Sequence, residues 1–303
     1  RRSKFFEIIL NEYLNMKTLI VLTALIMFSP VMAALKPNVV LMFIDDMGYG
    51  DIGPFGNTVN KTPNLDRMAE EGNLLTQFYV SNTACTPSRS ALMTGTYATR
   101  IGMDGTVCFP NEKRGLNPTE FTMGDAMKSV GYRTGIFGKW HLGDQREFLP
   151  LQNGFDEYFG IPYSNDMWPG NFNNHRHTKE PYTPLPIIRQ NDPVAYVSDG
   201  ADQSLLCEVI TDEAVMFIKK NKDQPFFLYM PHAYVHLPRF GRLDLANKAD
   251  GDVDRAAVEE VDTSVGRILD TLEELGIDEN TLFIFTSDNG PARGMSAGPL
   301  RGN

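Results

Sequence analysis

Cysteine is scarce in this chain: Cys85, Cys108 and Cys207 are all that 303 residues contain. So few exclude a scaffold built on disulfides, and an odd count leaves at least one thiol unpaired. Cys108 and Cys207 can either pair or remain two buried thiols. Positive charge is also short. Lys and Arg number 28 against 38 Asp and Glu, a formal net charge of -10. That balance argues against non-specific nucleic-acid binding. It does not exclude a small anionic substrate, because a local cluster of cations overrides the global sign. Internal repeats and low-complexity tracts are absent, and 42% hydrophobic with 22% charged residues describes a globular protein. A disordered or collagen-like chain is thereby ruled out. The length allows one large α/β domain or two smaller ones.

The apolar run Leu19–Phe28 is shorter than the roughly 20 residues of a membrane span. Met16 and Lys17 precede it, and Pro30 and Val31-Met32-Ala33 follow. A basic start, an apolar stretch and a small-residue cleavage site make a secretory signal over 16–34. An N-terminal anchor helix is the alternative. Residues 1–15, which open on Arg1, read as upstream non-native sequence. The expectations are a domain over 35–303, export to the periplasm or the medium, no stable membrane span and no nucleic-acid partner.

Asn38–Ile44 is continuously apolar and reads as a buried parallel strand. Thr62-Pro63 starts a helix, with Thr62 as cap, that stops near Gly72. Leu74–Val80 reads as a strand, Phe121–Ser129 as a helix and Tyr132–Phe137 as a strand. Residues 145–200 show no period and read as a long loop or insertion. Thr211–Lys219 is helical, and Pro225 introduces the strand Phe226–Met230. Ala256–Leu275 is the clearest helix, because Val261, Val265, Ile268, Leu272 and Leu275 recur at helical spacing before Gly276. Thr281–Thr286 is the last strand. Strands alternating with helices predict an α/β fold with a mostly parallel central sheet and helices on both faces. In such sheets functional groups gather at the carboxyl ends of strands.

Two strand ends carry acids. Asp45-Asp46 follows the first strand and Asp288-Asn289 the last. Brought together, three carboxylates would repel unless a cation sat among them, and an all-oxygen donor set favours Ca²⁺ or Mg²⁺. Each pair alone could instead form a turn or a helix cap. Cys85-Thr86-Pro87-Ser88-Arg89 lies at a helix start. There the backbone N–H groups and Arg89 favour an anion, either a thiolate or a bound substrate. Asn60-Lys61-Thr62 fits a glycosylation acceptor.

These stretches together resemble the type I sulfatases of the alkaline-phosphatase-like superfamily. Cys85-Thr86-Pro87-Ser88-Arg89 and Leu92-Met93-Thr94-Gly95 resemble the signature whose cysteine becomes formylglycine. Gly131–Thr134 through Gly138-Lys139-Trp140-His141-Leu142-Gly143 resembles the second signature. The resemblance implies Asp45, Asp46, Asp288 and Asn289 as Ca²⁺ ligands and His236 as a sulfate contact. Gly160-Ile161-Pro162-Tyr163-Ser164 is similar to the arylsulfatase A-like branch, which puts Ser164 near the sulfate. The similarity runs in order over 37–303.

What the resemblance implies is sulfate monoester hydrolysis, on a sulfated carbohydrate or an aryl sulfate. Residue 85, as an aldehyde hydrate, would attack sulfur with one hydroxyl, and the other would let the carbon expel sulfate. The metal, Arg89, Lys139, His141 and His236 would neutralise the sulfate oxygens, with His141 as base. His236 or Lys139 would protonate the leaving oxygen. A formylglycine-generating maturation enzyme is the implied partner. A phosphodiesterase or phosphonate hydrolase, or a non-catalytic binder of sulfated glycans, is the alternative. His232 receives no role, and His175 and His177 read as solvated loop residues. The resemblance also implies a sulfate-binding lysine and a small C-terminal subdomain beyond Asn303, so this chain is expected to be weakly active or inactive.

Overall fold

Asn38–Ile44 forms strand β1. It is apolar throughout because both of its faces are covered. Val40, Met42 and Ile44 enter one core layer, while Leu41 and Phe43 enter the other. The computed structural model describes residues 36–170 and 182–301. The segments read as upstream and signal sequence, and His175 and His177, lie outside the described residues.

The other strands are β2 Arg133–Lys139, β3 Glu157–Ile161, β4 Leu185–Arg189, β5 Asp192–Val197, β6 Phe226–Pro231 and β7 Thr281–Ser287. They make one sheet in the order β5-β4-β3-β2-β6-β1-β7. β3, β2, β6, β1 and β7 run parallel, and β4 and β5 add an antiparallel margin. The helices used below are α1 Pro63–Glu71, α2 Cys85–Thr94, α3 Met123–Ser129, α4 Leu206–Asn221 and α5 Val253–Glu274. Ile210 and Phe217 of α4, with Val261, Val265 and Ile268 of α5, cover one face. Met93 of α2 and Met127 of α3 pack on the other. The mostly parallel α/β sheet flanked by helices is therefore as expected.

Two contacts show how distant segments fix each other. The Thr62 hydroxyl accepts from the Gly53 N–H at 2.8 Å and so does not cap α1. Asp262 of α5 takes over, accepting from the Asn64 and Leu65 N–H groups at 3.3 and 2.8 Å. At Gly138, φ is 136° and an added Cβ would stand 2.1 Å from the Pro231 carbonyl oxygen. Only glycine lets the end of β2 turn so close to β6.

Three further expectations need correction, and one open alternative is decided. Leu74–Val80 is not a strand: its backbone is irregular, with Leu75, Phe78 and Tyr79 between 55% and 78% exposed. Its β-rich composition finds no strand to pair with among the described residues. The stretch 145–200 is not simply a loop, because β3, β4 and β5 lie within it. Their short, Pro- and Gly-interrupted runs hid the alternation. Cys108 and Cys207 are unpaired and buried, in opposite core layers. In the Asn60 triplet, the Asn60 amide donates to the Asp51 carbonyl at 2.8 Å and Thr62 is buried, so the folded chain does not present an acceptor. Among the described residues no helix is long and apolar enough to cross a membrane.

Candidate active site

Every parallel strand delivers polar side chains to the same edge of the sheet. β1 is followed by Asp45 and Asp46, and β7 by Asp288 and Asn289. β2 ends on Lys139 with His141 just beyond, β3 leads to Ser164, and β6 leads to His232 and His236. The N-terminal half of α2 adds Cys85 and Arg89. Asp46 and His141 sit at φ 59° and 58°, a left-handed conformation that non-glycine residues adopt at a cost and keep where the surroundings hold them. At Asp46 that turn aims the backbone N–H at Asp288 Oδ1, 3.2 Å away.

Asp45 is the hub. Its Oδ1 accepts from Cys85 Sγ at 3.2 Å, and its Oδ2 forms a buried ion pair with Lys139 Nζ. Arg89 Nη2 stands 3.5 Å from the same Oδ2. Arg89 also grips Asp288 Oδ2 through Nε at 3.0 Å and Nη2 at 2.8 Å, and donates to the Lys139 carbonyl at 3.1 Å. Lys139 Nζ reaches Ser164 Oγ at 3.0 Å. Burial raises Asp45, but Lys139 and Arg89 outweigh it and hold the carboxyl well below the usual carboxylate range. Asp288 goes the other way: burial, then the charge of Asp45, push it up to about 8 despite Arg89. Asp46 is raised by burial and by Asp45. Three carboxylates against two cations leave a pocket short of positive charge.

A cavity of about 160 Å³ opens beside Cys85, lined also by His141, Ser164, Asp166, Met167 and His236. His141 Nε2 lies 3.1 Å from the Cys108 carbonyl and must carry the hydrogen, whereas Nδ1 is buried with no partner among the described residues. Burial and Lys139 hold the His141 pKa well below its ordinary value, so the ring is neutral with a lone pair on Nδ1. His236 Nε2 stands 3.6 Å from Asp46 Oδ2, and its Nδ1 is 3.5 Å from Ser164 Oγ.

The thiolate reading of residue 85 does not survive this geometry. Burial, then the neighbouring Asp45, push the Cys85 thiol well above its ordinary pKa. A neutral thiol facing a carboxylate is a poor nucleophile.

All the residues expected at the site converge on it. Asp45, Asp46 and Cys85 present ligand atoms within 4.8 Å of one another. Asn289 Oδ1 is buried without a partner among the described residues, while its Nδ2 donates to Asp46 Oδ1 at 2.6 Å. An orphaned carbonyl oxygen beside three carboxylates fits a hard divalent cation. Three neighbours escaped sequence reading. Thr86 Oγ1 bridges the His141 carbonyl at 2.8 Å and the Cys108 N–H at 3.1 Å. His232 is fully buried, with Nδ1 accepting from the Tyr234 N–H at 3.2 Å and Nε2 unpartnered among the described residues. The Arg239 side chain ties two of the strand-end loops together. Of these, only His232 carried a sequence signal, four residues before His236.

A sulfatase family model matches residues 37–303. Arylsulfatase A of Homo sapiens is 36% identical over 297 residues, covering 88% of this chain and 56% of that protein. N-acetylgalactosamine-6-sulfatase of Canis lupus familiaris is 37% identical over 280 residues, covering 87% and 53%. The solved PsFucS1 sulfatase from Pseudoalteromonas sp. superposes with a TM-score of 0.75 at 33% identity, over 84% of this chain and 55% of that one. The chain spans about half the length of the curated relatives it matches.

Proposed function

Since the chain belongs to the sulfatase family, we propose that it forms the catalytic part of an exported hydrolase of sulfate monoesters. The observation that carries this reading is Cys85, buried at the first turn of α2, 3.2 Å from Asp45 and facing the same cavity as His141 and His236. As a thiol it is inert. Converted to formylglycine and hydrated, residue 85 would supply two hydroxyls on one carbon, one to attack sulfur and one whose deprotonation releases sulfate.

Asp45, Asp46, Asp288 and Asn289 would hold Ca²⁺, or Mg²⁺ in its place. The ion would supply positive charge beside the ester oxygens and make a hydroxyl at residue 85 more acidic. Arg89 is fully buried and committed to Asp288 and Asp45. Its task is to hold those carboxylates in place. Lys139 Nζ bridges Asp45 and Ser164, so Lys139 positions Ser164, which lines the cavity and orients the sulfate from one side. His141, neutral with a free Nδ1, accepts the proton from residue 85. His236 lines the cavity and Lys139 does not, which favours His236 over Lys139 as donor to the leaving oxygen.

A sulfated carbohydrate is the substrate class that the names of the relatives support, with aryl sulfates as assay substrates. Export rests on the signal-like segment 16–34. Residues Cys85 through Ala91 are all buried, so the maturation enzyme must meet this segment before α2 packs.

The test is mass spectrometry of the peptide containing residue 85, after co-expression with a maturation enzyme, alongside aryl sulfate and phosphate ester turnover. Replacement of the sulfur by oxygen with loss of two hydrogens at residue 85, and sulfate turnover abolished in C85A and by a chelator, is the expected result. An unmodified thiol with retained glycan binding would favour the non-catalytic alternative. Faster turnover of phosphate or phosphonate esters would favour the other hydrolase.

A further inference from the structure

Arg239 lies outside the cavity and touches none of the groups assigned above. Its relative exposure is 9%, and its side chain joins three separate parts of the site frame. Nε donates to the Val235 carbonyl at 2.9 Å, within the loop that carries His236. Nη2 donates to the Arg293 carbonyl at 2.7 Å, in the loop that follows Asp288 and Asn289. Nη1 pairs with Asp254 Oδ2 at 3.0 Å, in the first turn of α5.

The two carbonyls matter because of what their neighbours hold. The Val235 N–H donates to the Asp45 carbonyl at 2.8 Å, and the Asp45 N–H returns a bond to the Tyr234 carbonyl at 3.0 Å. On the other side, Ala292, next to Arg293, donates its N–H to the Asp46 carbonyl at 3.3 Å. One guanidinium thus anchors, within two residues along the chain, both backbone N–H groups that bind the carbonyls of the paired aspartates. A second clamp acts on the far end of the same loop, where Asp51 Oδ1 accepts from the Ser296 N–H at 2.9 Å.

We propose that Arg239 is a positioning residue that sets the spacing of the cation site by locking the His236 loop to the loop after β7. This rests on the metal reading above. A planar fork with fixed donor directions can hold two carbonyls and a carboxylate at once, and an ammonium cannot do so in the same geometry. Loss of such outer support costs a metal site about 10- to 100-fold in affinity.

Tb³⁺ luminescence titration reads the site without catalysis, and calorimetry with Ca²⁺ checks it. R239A is expected to raise the Tb³⁺ midpoint about 10-fold or more, and added guanidinium is expected to recover part of that loss. A purely structural role would lower Tm without moving the midpoint of the folded fraction, and guanidinium would not recover it. R239K, which keeps charge and most of the volume, covers the case in which R239A fails to fold. It is expected to weaken Tb³⁺ at least several-fold. D254N, which removes only the half-exposed ion pair, is expected to shift the midpoint far less than R239A. R239A or R239K titrating like wild type overturns the proposal, as does D254N matching R239A. Wild-type chain that takes up neither ion overturns this inference together with the metal reading, a pattern distinct from normal uptake by every variant.

Discussion

Arg89→Ala is the most demanding test of how the site is held together. The guanidinium is fully buried. It gives Asp288 Oδ2 two bonds at 3.0 and 2.8 Å, faces Asp45 at 3.5 Å and satisfies the Lys139 carbonyl at 3.1 Å. Without it, Lys139 alone opposes Asp45, Asp46 and Asp288. Removing one partner of a buried ion pair costs about 3–5 kcal/mol, because the remaining charge is stranded. The orphaned Lys139 carbonyl adds about 1–3 kcal/mol. Proton uptake by Asp288, whose pKa burial and Asp45 already raise, relieves part of this and limits the loss. The expected loss in chelator is therefore about 3–5 kcal/mol. Urea unfolding followed by tryptophan fluorescence reads it, because Trp140 and Trp168 are both buried. R89A/D288N is expected to regain more than about 1 kcal/mol relative to R89A, as charges that interact directly should. Ca²⁺ at 100 times its Kd is expected to restore about 2.7 kcal/mol. R89A within about 1 kcal/mol of wild type in chelator, below the range for a broken buried pair, would refute the reasoning. So would a double variant no better than R89A.

Glu260 of α5 is pushed up to about 7 by burial, against the Arg242 N–H that its Oε2 accepts at 2.8 Å. Between its ordinary 4.5 and about 7 the folded chain binds the extra proton, so its contribution to stability is lost as pH rises through that window. E260Q is expected to be more stable than wild type at pH 8 by about 1–3 kcal/mol and nearly equal to it at pH 5; urea melts at the two pH values check this, and an equal difference at both would count against it. Gly138→Ala places a Cβ 2.1 Å from the Pro231 oxygen at φ 136°. Soluble expression or a melt should show loss of folding, since overpacking and backbone strain act together there, and a Tm near wild type would contradict it. Because Cys85–Ala91 is buried, a maturation enzyme should convert an unfolded peptide spanning this segment and leave the refolded cysteine chain untouched. Mass spectrometry of both decides it, and equal conversion would show that α2 opens readily.

Much of the fold was legible because both faces of the central strands are covered. Asn38–Ile44 and Phe226–Met230 read as apolar runs for that reason, and the structure returns them almost unchanged as β1 and β6. α5 was legible because its apolar positions recur at helical spacing over six turns, a signal long enough to survive its buried acids Glu259, Glu260 and Asp262. The margins were not. β4 and β5 form an antiparallel pair broken by a register shift at Ile187/Ile188, and β5 is exposed at five of six positions. An edge strand with little burial leaves almost no hydrophobic pattern to read. Leu74–Val80 failed in the opposite sense: its composition is β-like, yet composition alone supplies no pairing strand.

The site was legible where spacing alone carried it. Asp45-Asp46 and Asp288-Asn289 follow recognisable strands, and the parallel order puts β1 beside β7, so the two acid pairs had to meet. Arg239 was illegible because its partners are backbone carbonyls of residues 235 and 293, which no side-chain motif announces. The Cys85 thiolate failed for a reason that can be put in numbers. Placement at a helix N-terminus favours an anion by about 0.3–1 kcal/mol, up to about 2 when partly buried. Full burial can oppose an anion by several pKa units, each worth about 1.4 kcal/mol. Asp45, 3.2 Å from the sulfur, adds its own repulsion. The helix end is visible in a sequence, whereas burial and a carboxylate 40 positions away are not. The stronger terms are the hidden ones, and they turn a position that looks primed for thiolate chemistry into one that holds a neutral thiol.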